Sequence, residues 1–440
     1  MAFGTLKGCS AECGAAFFFF PAGDIQQNEN CFVSLNRQSG SDMTISQMIK
    51  RTLLLAVVFL IVQSAAPQLA RPGNSDLDQY FTKQMEKAHI IGLQAASIQD
   101  GELFWKGSCG LKEYNTGKKV NDSTLFMIAS CSKPVTALGI MLLWDRGRLD
   151  LDDPVNKYLP FAIKNPNFPD RAITIRMLLA HTSSLQDNWD ILTPLYTLPE
   201  GGDSPLELYQ FVWDYFTEDG AYYNPKDNFH SYPPASGYDY CNMGYVVLGL
   251  IIQQISGQPF SEYMEKEIFK PLQMNHSYWF LREIPHDNIA RPHEVHPPTR
   301  KSPREVEVLN NYGYADFPDG QLRTTVSDYA QVVKLMINEG RVNGEVFIRS
   351  STVKEFLRIQ YPDVARYQAI AWNYNEFENF IYYLLMPRLP SHTGGDPGVA
   401  TVVSFDPEKR SGGIIFSNSP TTSFRGHKIF YQEMMKKLLK

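Results

Sequence analysis

The stretch from Phe126 to Leu143 constrains this chain more than any other. It opens on small and polar residues, Ala129 through Lys133, and continues as a long apolar run. Such a run, with Gly147 as its stop, reads as a helix entering a core. Ser130 and Lys133 lie three residues apart, so on a helix they share a face about one turn apart. An amine in that position can take the hydroxyl proton. The helix N-terminus and its free N–H groups favour the negative charge that follows. Pro134 removes one N–H, which the first turn of a helix tolerates.

The chain has 440 residues, enough for a large core and one or two domains. Its formal charge of −6, with no basic block, speaks against a nucleic-acid partner. Beyond residue 75 no stretch is long and apolar enough to span a membrane. Residues 1–47 read as a leader outside the folded part, polar and Gly/Ser-rich around one apolar patch at Ala15 to Phe20. Residues 48–70 carry Lys50-Arg51, then an apolar run from Thr52 to Val62, then Ser64-Ala65-Ala66. That order is a signal peptide or, if uncleaved, a signal anchor. The expectation is a secreted or membrane-anchored protein outside the cytoplasm, touching membrane only if the segment stays on. Outside the leader remain Cys109, Cys131 and Cys241, an odd number that implies no disulfide framework. Cys131 and Cys241 read as small buried apolar residues.

Further along, Ser75 to Ala88 has a helical pattern. Gly92 to Gln99 reads as a strand, with a turn at Asp100-Gly101 and a return strand from Glu102 to Ser108. Ile175 to Ala180 reads as a short helix. Residues 186–239 are rich in Asp, Gly, Pro, Tyr and Asn and read as long loops around short helices, walling a pocket. Helices follow from Gly244 to Ile255 and from Thr325, where Asp328 completes a capping box. Val399 to Phe405 and Gly412 to Phe416 read as strands, and Phe424 to Lys440 as a closing helix. Strands at both ends with helices between suggest an α/β (α+β) architecture, one sheet from both ends of the chain with a helical block inserted. The catalytic part runs over 75–440, with a sheet subdomain from 75–125 and 310–440 and a helical one from 126–309.

Two further motifs join Ser130 and Lys133. Tyr240-Cys241-Asn242 precedes the Gly244 helix. A tyrosine beside a lysine can be partly ionised, and could act as base on a serine and acid on a leaving group. The Asn242 amide offers donors and an acceptor to a substrate amide or to Lys133. His392-Thr393-Gly394-Gly395 stands at the start of a strand, where small residues let a substrate backbone lie along the edge. The N–H groups of Gly395 and Ser130 would form an oxyanion hole.

Together these motifs resemble the β-lactamase-related serine hydrolases, the group of class C β-lactamases, D-alanyl-D-alanine carboxypeptidases and esterases. Gly147 to Pro154, Leu178 to Leu185 and Asp319 to Thr325 match as well, and the resemblance covers about Ser75 to Lys440. It implies an antiparallel sheet flanked by helices plus a helical domain, with the site between them. It implies Ser130 as nucleophile, Lys133 as its activating partner and Tyr240 as acid/base, while Asn242 orients substrate and Lys133. His392, Thr393, Gly394 and Gly395 would bind substrate. No metal and no organic cofactor is implied. The partner is a small-molecule or peptide substrate. His392 stands where many members have lysine. A neutral imidazole holds a carboxylate less well, and protonation near pH 6 would change that. This favours esterase-like or peptidase-like activity over β-lactamase or carboxypeptidase activity. The other alternative is a non-catalytic binding or assembly protein, whose members would lose Ser, Lys or Tyr.

Overall fold

The structure, a computed structural model, describes residues 75–440 except 297, 299–303, 376–387 and 421–423. The leader and the signal segment lie outside the described residues. Helix α1 (Ser75–Ala88) buries Leu77, Phe81 and Met85, one stripe at helical spacing. Strands β1 (Gly92–Gln99) and β2 (Glu102–Glu113) pair antiparallel. Asp100 and Gly101 turn between them with φ of 52° and 79°, the left-handed pair that a two-residue hairpin needs. The return strand runs past Ser108 to Glu113 because the short β3 (Lys118–Lys119) pairs with its far end.

The apolar run becomes α2 (Lys133–Asp145), buried from Lys133 to Leu143. A short helix over Ile175–Leu179 follows, capped by the Thr174 hydroxyl, and then α3 (Leu208–Phe216). Helix α4 (Asn242–Ser256) ends where Gly257 turns left-handed at φ 68°. Helix α5 (Val326–Ile337) is capped by the Thr325 hydroxyl, which accepts from the Asp328 N–H. The chain then forms β4 (Ser391–Asp396), β5 (Val399–Asp406), β6 (Ser411–Ser417) and α6 (Phe424–Leu438).

The strands make one antiparallel sheet in the order β4-β5-β6-β1-β2-β3. Both ends of the chain thus contribute to it, and β4 is an edge. Ala400, Val402 and Ile415 pack on one face with Phe81 of α1 and Met434, Met435 and Leu438 of α6. Val403, Phe405, Ile414 and Phe416 face the other way, into a larger core with α2, α4 and α5. Cover on both faces is why these strands read as unbroken apolar runs and not as alternating ones. Each such side chain contributes about 1.5–3 kcal/mol when fully buried.

Candidate active site

Ser130 sits in a 3-10 turn, Ala129–Ser132, that leads directly into α2. Ala129 adopts φ 48°, a left-handed angle for a residue with a side chain, which costs about 1–3 kcal/mol and needs support from its surroundings. The support comes from three directions. The Tyr329 hydroxyl of α5 donates to Cys131 O at 2.8 Å, Leu322 N donates to Ser132 Oγ at 3.2 Å, and Thr401 Oγ1 of β5 donates to Ile128 O at 2.7 Å. Lys133 opens α2, and Pro134 falls in the first turn. Lys133 Nζ donates to Ser130 Oγ at 3.2 Å.

The same ammonium donates to Asp319, to Oδ2 at 2.8 Å and to the backbone O at 3.0 Å. Both side chains are buried, and Asp319 Oδ1 has no hydrogen-bond partner. Burial pushes the lysine's pKa down, but the Asp319 carboxylate outweighs it, so the amine stays cationic well above its ordinary range. Burial pushes the Asp319 carboxyl up, and Lys133 pulls it back only in part.

The Tyr240 ring lies beside that ammonium, its centroid 4.9 Å from Nζ. It stacks on the His181 imidazole at 4.4 Å and 29°. The Tyr240 hydroxyl is buried and makes no hydrogen bond of normal geometry. Burial raises its pKa, and the nearby Lys133 and Ser130 lower it by less. The phenol is therefore protonated in the resting site. Desolvation outweighs the one cation, already paired with Asp319, and so works against the partial ionisation expected from a neighbouring lysine. His181 is held neutral by burial and by Lys133, and its Nδ1 accepts the Cys241 N–H at 3.1 Å.

Asn242 lies in the first turn of α4, not ahead of the helix. The Asp187 carboxylate reaches across from the 186–239 segment. It accepts the N–H of Asn242 at 2.8 Å and of Met243 at 2.9 Å, supplying the cap that Cys241 cannot. The Asn242 Oδ1 is buried without a partner. Lys133 hydrogen-bonds to Ser130 and Asp319, so the expected orientation of Lys133 by Asn242 falls to Asp319. Among the described residues no disulfide joins Cys109, Cys131 or Cys241.

Edge strand β4 closes the site. A methyl at Gly394 would lie 2.6 Å from Ile128 O, 2.3 Å from Thr401 Oγ1 and 3.1 Å from Ser130 N, so only glycine lets the strand approach the nucleophile this closely. Thr393 and Gly395 are exposed, and a methyl on Gly395 would meet nothing within 4 Å. His392 turns inward. Its Nδ1 lies 2.7 Å from Thr393 O and its ring stands 6.2 Å from Tyr240. Burial, with Lys133 adding to it, depresses its pKa to about 3. Burial and the Lys133 charge thus work against the proton expected near pH 6, and the Thr393 carbonyl offsets them only in part.

The structure thus brings Ser130, Lys133, Tyr240 and the His392–Gly395 strand around one point, with Asn242 in the helical turn beside Tyr240. Asp319, His181 and Asp187 complete the arrangement. Asp319 and His181 stood inside the segments that carried the resemblance, but neither had a role there. Asp187 lay in loop sequence without a signal.

An antiparallel sheet with a serine under its edge strand, and a helical block alongside, defines a β-lactamase/transpeptidase-like fold. The Beta-lactamase family model matches residues 77–433, and the chain belongs to that family of serine hydrolases. It is 27% identical over 345 residues to "Penicillin-binding protein 4*" of Bacillus subtilis, covering 74% of this chain and 68% of that protein. The octameric penicillin-binding protein homologue from Pyrococcus abyssi superposes with a TM-score of 0.63 at 22% identity, over 83% of this chain and 77% of that one. EstCE1, a hydrolase with promiscuous acyltransferase activity, gives 0.64 at 17% identity, over 84% and 100%. These two likenesses show the fold. The chain spans 64% to 68% of the length of the curated relatives it matches.

Proposed function

We propose that this chain hydrolyses an ester or amide through an acyl-enzyme on Ser130, with esterase-like or peptidase-like specificity. The observation that carries the reading is the 3.2 Å contact of Lys133 Nζ with Ser130 Oγ, inside a site where Tyr240 flanks the same amine. The resting charges set the order of proton movements. Lys133 first passes a proton along its 2.8 Å hydrogen bond to Asp319 Oδ2. Under a bound substrate the low dielectric around the pair favours this neutral form over the ion pair. The neutral amine takes the Ser130 proton while Oγ attacks the carbonyl carbon, and the N–H groups of Ser130 and Gly395 hold the oxyanion. Tyr240 then protonates the leaving group, and its phenolate is stabilised by the restored Lys133 ammonium. Water attacks the acyl carbon, returns a proton to Tyr240, and releases Ser130. Ser130 regains its proton from Lys133, which recovers its own from Asp319.

The inward turn of His392 supports the same reading, since β4 offers no cation to a substrate carboxylate of the kind a β-lactam carries. The test is mass spectrometry after exposure to a serine-reactive phosphonate. An adduct on Ser130, absent from Ser130→Ala, supports the proposal. An adduct on Ser132 or Ser183 with Ser130→Ala still active overturns it. We further propose delivery outside the cytoplasm, on the basic-then-apolar order of residues 50–62. N-terminal sequencing of native material, with a start after residues 64–70, is the expected result.

A further inference from the structure

On β4, residues His392, Gly394 and Asp396 alternate with the exposed Thr393 and Gly395, so they share the face turned to the Ser130 turn. Gly394 lies on Ser130 N, which puts His392 and Asp396 on opposite flanks of the nucleophile, each about 6.5 Å along the strand. The His392 flank is the one beside Tyr240. Since Tyr240 protonates the leaving group in the reading above, the acyl part of the substrate lies on the Asp396 flank.

That flank is built from a carboxylate and aromatic rings. Tyr196 Oη donates to Asp396 Oδ1 at 3.1 Å, and Tyr314 Oη donates to Oδ2 at 3.2 Å. The two rings stand 4.8 Å apart and pack with Tyr312 against Ala129, the residue before Ser130. Tyr196 and Asp396 are partly exposed, so a substrate can reach them. A carboxylate can accept about four hydrogen bonds, and two are used here. Among the described residues no cation forms an ion pair with Asp396. The nearby cations are both committed elsewhere, Lys133 to Asp319 and Arg323 to the carbonyls of Gln321 and Tyr312. Desolvation by the rings around it and the Asp319 charge push the Asp396 carboxyl up to about 7, so it is largely ionised by about pH 8, and a cation bound beside it would hold it ionised.

We propose that Asp396, Tyr196 and Tyr314 form a subsite for a cationic group on the acyl part of the substrate, such as a free amine. The carboxylate supplies the countercharge and the Tyr196 ring supplies a face that attracts cations, while the buried Tyr314 hydroxyl holds the carboxylate in place. The inference rests on the acyl-enzyme reading and adds a substrate class to it.

The test uses two nitrophenyl esters whose acyl chains end in a trimethylammonium group or in its neutral isostere, a tert-butyl group. A matching pair of phosphonates is used for labelling. The parent protein should favour the cationic ester in kcat/KM by about tenfold, the scale of a partly desolvated cation held against an aromatic face beside a countercharge. Asp396→Asn should bring the ratio close to one, and Tyr196→Phe should reduce it in part. The ratio is the readout, because a purely structural defect lowers both esters together. If the parent favours the neutral ester, or if Asp396→Asn keeps the cationic preference, the subsite is overturned while the hydrolase reading stands. If neither phosphonate labels Ser130 and neither ester is cleaved, both fall.

Discussion

The Lys133 ammonium and the Asp319 carboxylate stand 2.8 Å apart with both side chains out of water. This pair decides the protonation state of the site, because Lys133 is the common neighbour of Ser130 and Tyr240. Breaking a buried pair by removing one partner costs about 3–5 kcal/mol, since it strands the other charge. Asp319→Asn should therefore lower the urea midpoint and depress kcat together. Asp319→Asn combined with Lys133→Met should cost clearly less stability than the sum of the single changes. Additive costs in that cycle would show that the pair is not coupled.

Tyr240→Phe separates chemistry from folding. The hydroxyl makes no hydrogen bond of normal geometry in the resting site, so its loss should leave Tm close to the parent's. Turnover should fall by about 10²–10⁴, the range for a general acid/base. A variant close to the parent in kcat would remove Tyr240 from the proton path.

The two glycines of β4 should respond differently to alanine. At Gly394 the methyl collides with Ile128 O and Thr401 Oγ1, so the strand must withdraw from Ser130. Overpacking of this kind costs about 1–3 kcal/mol, and the loss of alignment should reduce kcat at least tenfold. At Gly395 the methyl enters open space, so Gly395→Ala should keep the parent's thermal stability. Calorimetry on the two variants checks the contrast, and equal Tm losses would contradict it.

His392 should make the protein sensitive to mild acid. Its folded pKa of about 3 lies below the unfolded value near 6.5. The stability it contributes is therefore present above pH 6.5 and is lost as pH falls toward 3. At pH 5 the loss amounts to about 2 kcal/mol. Asp187 and Asp396, whose carboxyls are raised, act in the opposite sense, so the effect must be read as a difference. Urea unfolding of the parent and of His392→Gln at pH 7 and pH 5 should show the parent losing about 2 kcal/mol more. Parallel losses would place the titration elsewhere.

The legible parts of the chain were those whose signals are local. The stop of α4 rests on Gly257, the start of α5 on Thr325 and Asp328, and the first hairpin on Asp100-Gly101, each a few residues wide. Ser130 and Lys133 were legible for the same reason, being one turn apart. The start of α4 was not, since its cap is a carboxylate 55 residues upstream. Asp319 and Asp396 stand next to Gly320 and Pro397, and nothing in those few residues marks them for a site. Their chemistry arises only when the fold sets them beside Lys133 and Tyr196. For His392 the neutral imidazole was legible, but its uptake of a proton near pH 6 was not, because exposure, which sets the pKa, is a tertiary property.

The Asp187 cap has a consequence for how such a site can change over time. Residues 186–239 hold Tyr196, which reaches the edge strand, so they are where new substrate preferences would be written. Yet one carboxylate in that segment also holds the first turn of the helix that begins two residues after Tyr240. Rewriting the loop wholesale would loosen the acid/base along with the pocket wall. Lineages, and designers, that exchange this segment should find Asp187 the hardest residue in it to give up.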